Sequence, residues 1–355
     1  MEDLRSLTYE ELTTFLLGMG EKPYRARQIF EWLHLHTVAS LDEMTNIPKT
    51  LREKLAAQSS LTTLLTEVCQ KSKGDGTKKY LFKLGDGHMV ESVLMRHDYG
   101  ITACISSQVG CRMACSFCAS GIGGRVRNLL PGEMLEQIYA MRRDLVREAK
   151  SDTDPVRVDH VVVMGTGEPL DNYENLITFL KLLTSDRGQN LSIRNITVST
   201  CGIVPRIYEL ADQELGLTLA LSLHASSQEK REKLMPIAGT YSLPEVMEAC
   251  DHYFKKTGRR ISYEYGLIAG VNDGAEDVEG LTRLLKGRNA HLNLIPINPI
   301  SERDYRPPKR DAAVDFSHRL EKNGINVTIR KSMGQDIDGA CGQLRRHYDI
   351  KLQEG

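Results

Sequence analysis

From residue 100 onward, short runs rich in β-branched residues alternate with stretches whose apolar residues recur at helical spacing. Strand–helix units with right-handed crossovers build a parallel sheet that helices cover. The sequence therefore predicts an α/β fold, either doubly wound or a full or partial barrel. The predicted strands are 101–106, 158–164, 193–200, 217–224, 261–268, 291–297 and 327–330.

Polar or glycine-rich segments stand at the carboxyl ends of several predicted strands, where such folds carry their chemistry. Because these ends meet at one rim, we expect the side chains to lie close together. Short polar residues also end the strands of barrels that have no shared site, so position alone does not establish one. The segments are a cysteine-rich loop after the first strand, residues 165–169 after the second, and Ser199, Ser222, His224 and Asn298 at later strand ends.

The cysteine-rich loop holds three thiols in the spacing C-x3-C-x2-C, at Cys111, Cys115 and Cys118. Clustered thiols bind zinc or iron–sulfur clusters, but structural zinc sites use four ligands, usually in two C-x2-C pairs, and no second pair exists in this sequence. Three thiolates on a [4Fe–4S] cube leave one iron open, which can bind S-adenosylmethionine (SAM) and reduce its sulfonium. A zinc loop and three unconnected core thiols are the alternatives.

Composition limits the class of protein. The 355 residues are 41% hydrophobic and carry a formal net charge of −1, so we expect a globular chain without general affinity for nucleic acid. No apolar run approaches the roughly 20 residues that span a bilayer, and the first residues do not resemble a signal peptide. With eight cysteines, this predicts a reducing, cytoplasmic location and no membrane partner. Contacts with RNA require local basic patches, and the candidates are Arg125/Arg127, residues 306–310 and Arg345/Arg346.

Two segments precede the alternating region. Residues 1 to about 60 have helical spacing and predict a small helical domain, whose role is either RNA docking or structural capping. Residues 78–97 change to alternating spacing and predict a β-hairpin. Alternation puts Glu91 on the same side as the apolar Val93 and Met95. If that side is buried, Glu91 becomes a usable base; if it is exposed, Glu91 is a surface charge.

Two further cysteines have unusual contexts. Cys104 lies in the strand that leads to the three-thiol loop, seven residues before Cys111. Cys341 lies in a glycine-rich segment, 334–342, whose backbone is free to move. We expect a special role for Cys341, and Cys104 is the weaker candidate. The remaining thiols, Cys69, Cys201 and Cys250, are expected to be core residues.

Five stretches of the sequence together resemble one known family, the RlmN/Cfr family of radical-SAM RNA adenine methyltransferases, and the resemblance runs from about residue 4 almost to the end. It implies a radical-SAM partial (β/α) barrel with parallel strands, preceded by a small N-terminal helical domain and a β-hairpin. The stretches are Cys-Ile-Ser-Ser-Gln-Val-Gly-Cys at 104–111 before the three-thiol loop, Gly-x-Gly-Glu-Pro-Leu at 165–170, Ser-Leu-His at 222–224, Leu-Met-Pro at 234–236 and Asp-Ile-Asp-Gly-Ala-Cys-Gly-Gln-Leu at 336–344.

The resemblance also implies a division of the chain into four segments. These are an N-terminal helical accessory domain at 1–65, a β-hairpin extension at 66–99, the barrel core at 100–331 and a C-terminal loop and tail carrying Cys341 at 332–355.

The resemblance implies a reaction that uses a [4Fe–4S] cluster on the three-thiol loop and two SAM molecules per turnover. One SAM methylates the thiolate of Cys341. The second is cleaved reductively to a radical that takes a hydrogen from the S-methyl group, and the resulting methylene radical adds to an adenine ring carbon. Cys104 then releases the covalent adduct by forming a transient disulfide with Cys341, while Glu91 removes the ring proton.

The same resemblance assigns SAM contacts and partners. Because a paired base hides its ring edge, the substrate must be single-stranded or splayed-out RNA. Family substrates are an adenosine at the peptidyl-transferase centre of 23S rRNA and, in some members, the adenosine after the tRNA anticodon. A flavodoxin- or ferredoxin-type electron donor and a monomeric state are expected. Instead of contacting SAM, His224 could be an ordinary strand-end histidine; this alternative stays open at the level of the sequence. The implied SAM contacts are Gly167 and Glu168 at the methionine end, and Ser199, Ser222, Leu223, His224 and Asn298 around the ribose and adenine.

Three positions bear on which adenine carbon is methylated. Val109 and Pro169 are similar to the C2 branch of the family, whereas the C8 branch, which confers antibiotic resistance, tends to carry Cys and Ala there. Thr166 departs from the commoner Met and decides nothing. We therefore expect C2 methylation, with a Cfr-type C8 methyltransferase as the alternative. A non-catalytic, metal-containing RNA-binding protein is the hypothesis from another class, but it leaves the joint presence of the three candidate catalytic residues unexplained.

Overall fold

A computed structural model describes residues 1–151, 156–300, 303–331, 333–334 and 336–337, together with Leu344 and Tyr348. Ten strands within these ranges form one sheet, in which each strand is hydrogen-bonded to the next along the chain. They are β1 (Leu65–Lys71), β2 (Lys78–Lys83), β3 (Met89–His97), β4 (Gly100–Cys104), β5 (His160–Val163), β6 (Ile196–Thr200), β7 (Thr218–Ser222), β8 (Ile261–Leu267), β9 (Ala290–Pro296) and β10 (Val327–Ile329).

Strands β4 to β10 run parallel to one another, so the partial (β/α) barrel predicted from the sequence is confirmed. The sheet keeps two edges, β1 and β10, and is therefore an open barrel. Each of the seven predicted parallel strands is present. Six of them stop one or two residues earlier than predicted.

Helices cover the sheet and complete the core. In α4, the five apolar residues at helical spacing, from Met134 to Leu145, are all buried. No helix in the described part of the chain combines the length and the apolar character needed to cross a bilayer. The helices are α1 (Tyr9–Gly18), α2 (Tyr24–His34), α3 (Lys49–Gln58), α4 (Pro131–Glu148), α5 (Tyr173–Thr184), α6 (Val204–Asp212), α7 (Gln228–Leu234), α8 (Leu243–Thr257), α9 (Ala275–Leu285) and α10 (Arg310–Lys322).

The predicted hairpin is formed by β2 and β3, which pair antiparallel and continue the barrel sheet through β4. Its turn is closed by a hydrogen bond from the backbone N–H of Leu84 to the carbonyl of His88, 2.8 Å long. Gly87 adopts φ of 87°, which favours glycine at this turn. The sequence analysis missed the third antiparallel strand, β1, because most of its side chains are exposed and its apolar residues are few.

The three N-terminal helices are attached to the barrel by a buried ion pair. Arg5 pairs with Glu136 on α4, and both side chains are fully buried. Arg5 also donates a 2.5 Å hydrogen bond to the carbonyl of Val38. Glu136 is paired with Arg143 as well. Burial lowers the pKa of Arg5 to about 10, so the guanidinium stays charged at neutral pH.

Replacing Arg5 with methionine is expected to lower the free energy of unfolding by about 3–5 kcal/mol, because the carboxylate of Glu136 then loses a buried partner. Urea unfolding at pH 7 measures the change. The control is Arg27→Met, which breaks an exposed pair with Glu31 and should cost less than about 1 kcal/mol. Equal effects for the two variants would contradict the assignment of Arg5 as the anchor of this segment.

Candidate active site

A cavity of about 290 Å³ lies at the carboxyl ends of the parallel strands. It unites residues from the three-thiol loop with residues at the carboxyl ends of five further strands, β5 to β9, so the structure brings the predicted rim together. The predicted site residues that line it are Cys111, Cys115, Cys118, Gly167, Glu168, Ser199, Ser222, His224 and Asn298.

Three of the predicted site residues do not line this cavity, and a fourth lies outside the described residues. The side chain of Leu223 is fully buried in the main apolar core. Glu91 and Cys104 are buried on the neighbouring strands β3 and β4. Cys341 lies outside the described residues. Cys201, expected to be a core residue, is buried but also lines the cavity beside the loop thiols.

The three-thiol loop, also called the cysteine loop below, carries Cys111, Cys115 and Cys118. It is closed at its base by a two-stranded ribbon, Gln108–Gly110 with Arg125–Asn128. The N–H of Cys111 donates a 3.0 Å hydrogen bond to the carbonyl of Gly124. A Cβ at Gly110 would lie 2.0 Å from that carbonyl oxygen, and φ of Gly110 is 75°, so this close approach requires glycine. The far side of the loop is tied to α7, because Ser116 donates its N–H to the carbonyl of Leu234 at 2.9 Å.

Asp171 connects the cysteine loop to the turn that carries Glu168. Its carboxylate accepts hydrogen bonds from Gln108 at 3.0 Å, from Arg112 at 3.0 Å and from Arg125 at 2.6 Å. These contacts hold the pKa of Asp171 below its usual value, although burial opposes them. The cysteine loop and the Glu168 turn are therefore held in one network.

The donor set of the loop fits an iron–sulfur cluster. Burial raises the pKa of Cys111 to about 12 and that of Cys115 further, so the metal-free thiols are protonated and binding must release their protons. Met113 and residues of α7 give the thiols an apolar surround. In the described chain, no three His, Cys, Asp or Glu side chains converge closely enough to hold a single ion. A cube needs no such convergence, because each thiolate binds a different iron.

Arg231 supplies a positive charge next to these thiols. Its side chain is fully buried on α7, and one guanidinium nitrogen donates a 2.6 Å hydrogen bond to the carbonyl of Cys201. The Nε and Nη1 atoms have no hydrogen-bond partner within the described residues. The guanidinium interacts electrostatically with the thiols of Cys201 and Cys115. It therefore compensates negative charge when the loop thiols ionise.

Glu168 presents a carboxylate to the cavity from a turn that only glycine permits. Gly167 has φ of 113°, and a Cβ there would lie 2.7 Å from the side chain of Gln108. The carboxylate of Glu168 accepts hydrogen bonds from the backbone N–H groups of Cys201, at 2.8 Å, and Leu170, at 3.1 Å. Burial raises its pKa, and these hydrogen bonds act in the opposite direction. The side chains of Thr200 and Cys201 also hydrogen-bond to this carboxylate and favour its charged form, which attracts a cationic ligand group.

His224 has an unusual backbone conformation at the end of β7. Its φ of 54° lies in the left-handed region, which non-glycine residues rarely adopt outside functional sites. Its Nδ1 atom accepts a 2.8 Å hydrogen bond from the backbone N–H of Gly266, so the ring proton is assigned to Nε2. Burial lowers its pKa to about 3, which keeps the ring neutral. The ring packs edge-on against Phe117 of the cysteine loop, with centroids 4.7 Å apart.

Cys104 lies in a separate apolar group with Val93 and Met95, on the side of the sheet that faces the barrel interior. Met164, which lines the active-site cavity, packs against this group. Met333 packs there as well, eight residues before Cys341. Cys104 is therefore separated from the thiol-lined cavity by the side chain of Met164.

Glu91 is 3% exposed, so the alternative that Glu91 is a surface charge is wrong. It does not face an entirely apolar surface either, because the Nζ atom of Lys79 lies 2.8 Å from its carboxylate. Lys79 sits opposite Val93 on the paired strand, which makes it a diagonal neighbour of Glu91 on the same face. The pair compensates the charge of the buried carboxylate. Sequence analysis missed Lys79, since the strand register is not readable from spacing.

The basic patch expected at Arg125 and Arg127 is not a free surface. Arg125 is paired with Asp171, and Arg127 is paired with Asp86 at 2.6 Å and Glu133 at 2.7 Å. Their charges are neutralised by these carboxylates, so this prediction is wrong. Residues 306–310 are largely exposed, and Arg345 and Arg346 lie outside the described residues.

An open parallel barrel with a three-thiol loop at the carboxyl ends of its strands defines a radical-SAM enzyme, and residues 105–285 match the radical SAM superfamily. Such enzymes use a [4Fe–4S] cluster and SAM. Residues 2–61 match the family described as the ribosomal RNA large subunit methyltransferase N-terminal domain.

The chain belongs to the RlmN family. It is 54% identical over 357 residues to a probable dual-specificity RNA methyltransferase RlmN of Lachnospira eligens, covering 100% of this chain and 99% of the relative. It is 52% identical over 340 residues to the protein so named in Bacillus subtilis, covering 96% and 92%. The crystal structure of a radical SAM methyltransferase from Sphaerobacter thermophilus has a TM-score of 0.91 and 42% identity, covering 97% of this chain and 99% of that one.

Proposed function

We propose that this chain is a SAM-dependent RNA methyltransferase that methylates C2 of an adenosine in 23S rRNA, with tRNA as a second substrate. The observation that carries the proposal is the cavity in which the three-thiol loop meets Glu168 and His224, with Cys104 on the other side of Met164. The relatives support the RNA substrate, since their name states dual-specificity RNA methylation.

Different residues of the cavity would bind the iron–sulfur cluster and the separate parts of SAM. Cys111, Cys115 and Cys118 would hold the [4Fe–4S] cluster, which when bound supplies the electron for reductive cleavage of SAM. The carboxylate of Glu168, fixed by two backbone N–H groups, is suited to the methionine amino group. The neutral ring of His224 offers an Nε2–H donor towards the cavity. The hydroxyls of Ser199 and Ser222, the amide of Asn298 and the backbone at Leu223 remain for the ribose and adenine.

Two thiols have separate tasks in the proposed reaction: Cys341 carries the one-carbon unit, and Cys104 releases the product. We assign the methyl carrier to Cys341, whose thiolate displaces S-adenosylhomocysteine from one SAM. Cys104 then attacks the sulfur of Cys341, and a Cys104–Cys341 disulfide forms as the carbon–sulfur bond to RNA breaks. That disulfide must be reduced before the next turnover. The position of Met333 against Cys104 supports this assignment, because it brings the start of the Cys341 segment to the resolving thiol.

The choice of C2 over C8 is supported by Val109 and Pro169 and by the names of the relatives, which are RlmN proteins. The test is to convert RNA whose adenosines carry deuterium at C2, using reconstituted enzyme, SAM and a reductant. Loss of deuterium together with chromatographic identity to 2-methyladenosine is expected. Retention of deuterium with formation of 8-methyladenosine would identify the Cfr-type reaction instead. A product without ring methylation would contradict the proposed function.

Glu91 is proposed as the base that takes the proton from the adenine ring. Replacing it with glutamine is expected to slow methylation of RNA by roughly 10²–10⁴-fold, because the amide cannot accept that proton. Single-turnover kinetics measure the effect, and the iron content should be unchanged. Glu133→Gln is the matched control, since Glu133 is also buried and paired but lies on α4, whereas Glu91 is on the face of β3 that carries Val93 of the Cys104 group. Equal rates for the Glu91 variant and the wild type would remove Glu91 from the mechanism.

Further properties remain part of the proposal. The enzyme is proposed to act in the cytoplasm as a monomer and to receive electrons from a flavodoxin- or ferredoxin-type protein. The division of the chain into four segments that end at residues 65, 99, 331 and 355 is also part of this proposal. The N-terminal helices are proposed as the accessory domain.

A further inference from the structure

A second and larger cavity, of about 630 Å³, occupies the barrel on the side away from the three-thiol loop. Its lining includes the first or second residues of several parallel strands, such as Thr197, Thr218 and Ser262. It therefore opens at the amino-terminal mouth of the barrel. Its inner end is lined by Met95 and Met164, which pack with Cys104, and Met164 lines the active-site cavity too.

The amino-terminal mouth is strongly basic, although the whole chain has a net charge of −1. Four cations line the cavity, and none of them forms an ion pair with a described residue. Arg259 and Arg260 precede β8 at this mouth, whereas Arg330 and Lys331 follow β10 and line the same cavity from the open edge of the sheet, where Arg330 interacts electrostatically with His97. The carboxylate in the lining, Glu264, already accepts hydrogen bonds from Ser262 and Asn293. Four cations without a carboxylate partner in one cavity attract an anionic ligand.

The mouth also carries an exposed aromatic ring. Tyr99 is 67% exposed and lines the cavity. One face is stacked on His97, with the ring planes 7° apart and the centroids 4.7 Å apart. A T-shaped contact with His160 fixes it further. A rigid, exposed ring among cations is the combination that binds single-stranded nucleic acid, in which bases stack and phosphates pair with Arg and Lys.

We infer that the amino-terminal mouth is the RNA-binding face, and that the target adenosine is inserted through it, up the barrel interior towards Cys104. Arg260, Arg330 and Lys331 contact the flanking phosphates, and a neighbouring base stacks on Tyr99. The inference rests on the RNA methyltransferase function proposed above. The iron–sulfur cluster and SAM would occupy the active-site cavity, which leaves the larger cavity, on the other side of Met164, as the route of the base to Cys104. An acidic electron-donor protein fits this mouth less well, because the three-thiol loop lies at the opposite end of the barrel.

The test measures binding of a fluorescent RNA hairpin with an unpaired adenosine to the reconstituted protein across a range of salt concentrations. The variant Arg260→Ala/Arg330→Ala/Lys331→Ala is expected to bind at least tenfold more weakly and to lower the slope of log affinity against log salt by roughly 2, at about 0.7 per lost phosphate contact. Tyr99→Ala is expected to weaken binding roughly tenfold without changing that slope. The matched control, Arg283→Ala/Lys286→Ala/Lys322→Ala, removes the same charge from exposed cations on the outer helices.

Equal weakening by the control variant would mean that overall charge, rather than the mouth, determines binding, and this would overturn the inference. A mouth variant that binds RNA like the wild type but is no longer reduced by a flavodoxin would also overturn the inference. The two proposals fail separately. If the wild type methylates RNA while the mouth variant binds it with unchanged affinity, only the mouth is wrong. If the wild type neither binds nor methylates RNA, the proposed function itself is wrong.

Discussion

Alanine at Cys111, Cys115 or Cys118 is expected to leave the purified protein almost without iron and unable to cleave SAM. The three thiols supply all the protein ligands of the cluster, and losing one leaves an iron without its protein anchor. Iron analysis and absorbance near 400 nm after anaerobic reconstitution measure the loss. Release of 5′-deoxyadenosine from SAM gives an independent measure of activity. A single variant that retained full iron content would contradict the three-thiol assignment.

Cys201 provides the decisive control for this experiment. It lines the same cavity and is packed with Cys111, so it is a fourth thiol within the site. We expect Cys201→Ala to keep its iron and its ability to cleave SAM. If that variant instead lost its metal, the site would be closed by four thiols. No iron would then be open for SAM, and the radical-SAM assignment of the loop would be wrong.

The second large effect separates two thiols that have different tasks. Cys104→Ala is expected to accumulate a covalent protein–RNA species through Cys341, because attachment proceeds while the resolving thiol is missing. Gel electrophoresis under denaturing conditions should show most of the active protein shifted to higher mass after one turnover, with no methylated RNA released. Cys341→Ala should keep its cluster and form neither the crosslink nor the product.

Cys69→Ala is the matched control for the crosslinking experiment. The prediction that Cys69 is a core residue is wrong, because it is an exposed thiol on β1, and it lines neither the active-site cavity nor the larger cavity. It should release methylated RNA at the wild-type rate and show no crosslink. If Cys104→Ala behaves in the same way, Cys104 is an ordinary strand cysteine and the product is released by another route.

The sequence predicted those features that depend on local spacing. Periodicity identified the parallel strands, and the positions of Ser199, Ser222 and His224 at strand ends were enough to place them on one rim. Features that depend on register were not predictable. The contact between Lys79 and Glu91 requires the alignment of β2 with β3, which neither strand encodes by itself.

Charged surfaces were the least predictable feature. The search for basic runs in the sequence selected Arg125 and Arg127, which the fold pairs with carboxylates. The unpaired cations at the mouth come from segments far apart in the chain, 259–260 and 330–331, and only the barrel brings them together. Adjacent charges in a sequence do not report which carboxylates will face them after folding.

The network around Asp171 makes the two halves of the active site thermodynamically linked. Through one carboxylate, the segment proposed to hold the iron–sulfur cluster is tied to the segment proposed to bind the methionine end of SAM. Ordering of either segment by its ligand reduces the conformational entropy left to lose at the other. By reciprocity, each ligand then raises the affinity of the protein for its counterpart by the same factor. We therefore expect iron loading to strengthen the binding of SAM, and SAM to strengthen the retention of iron.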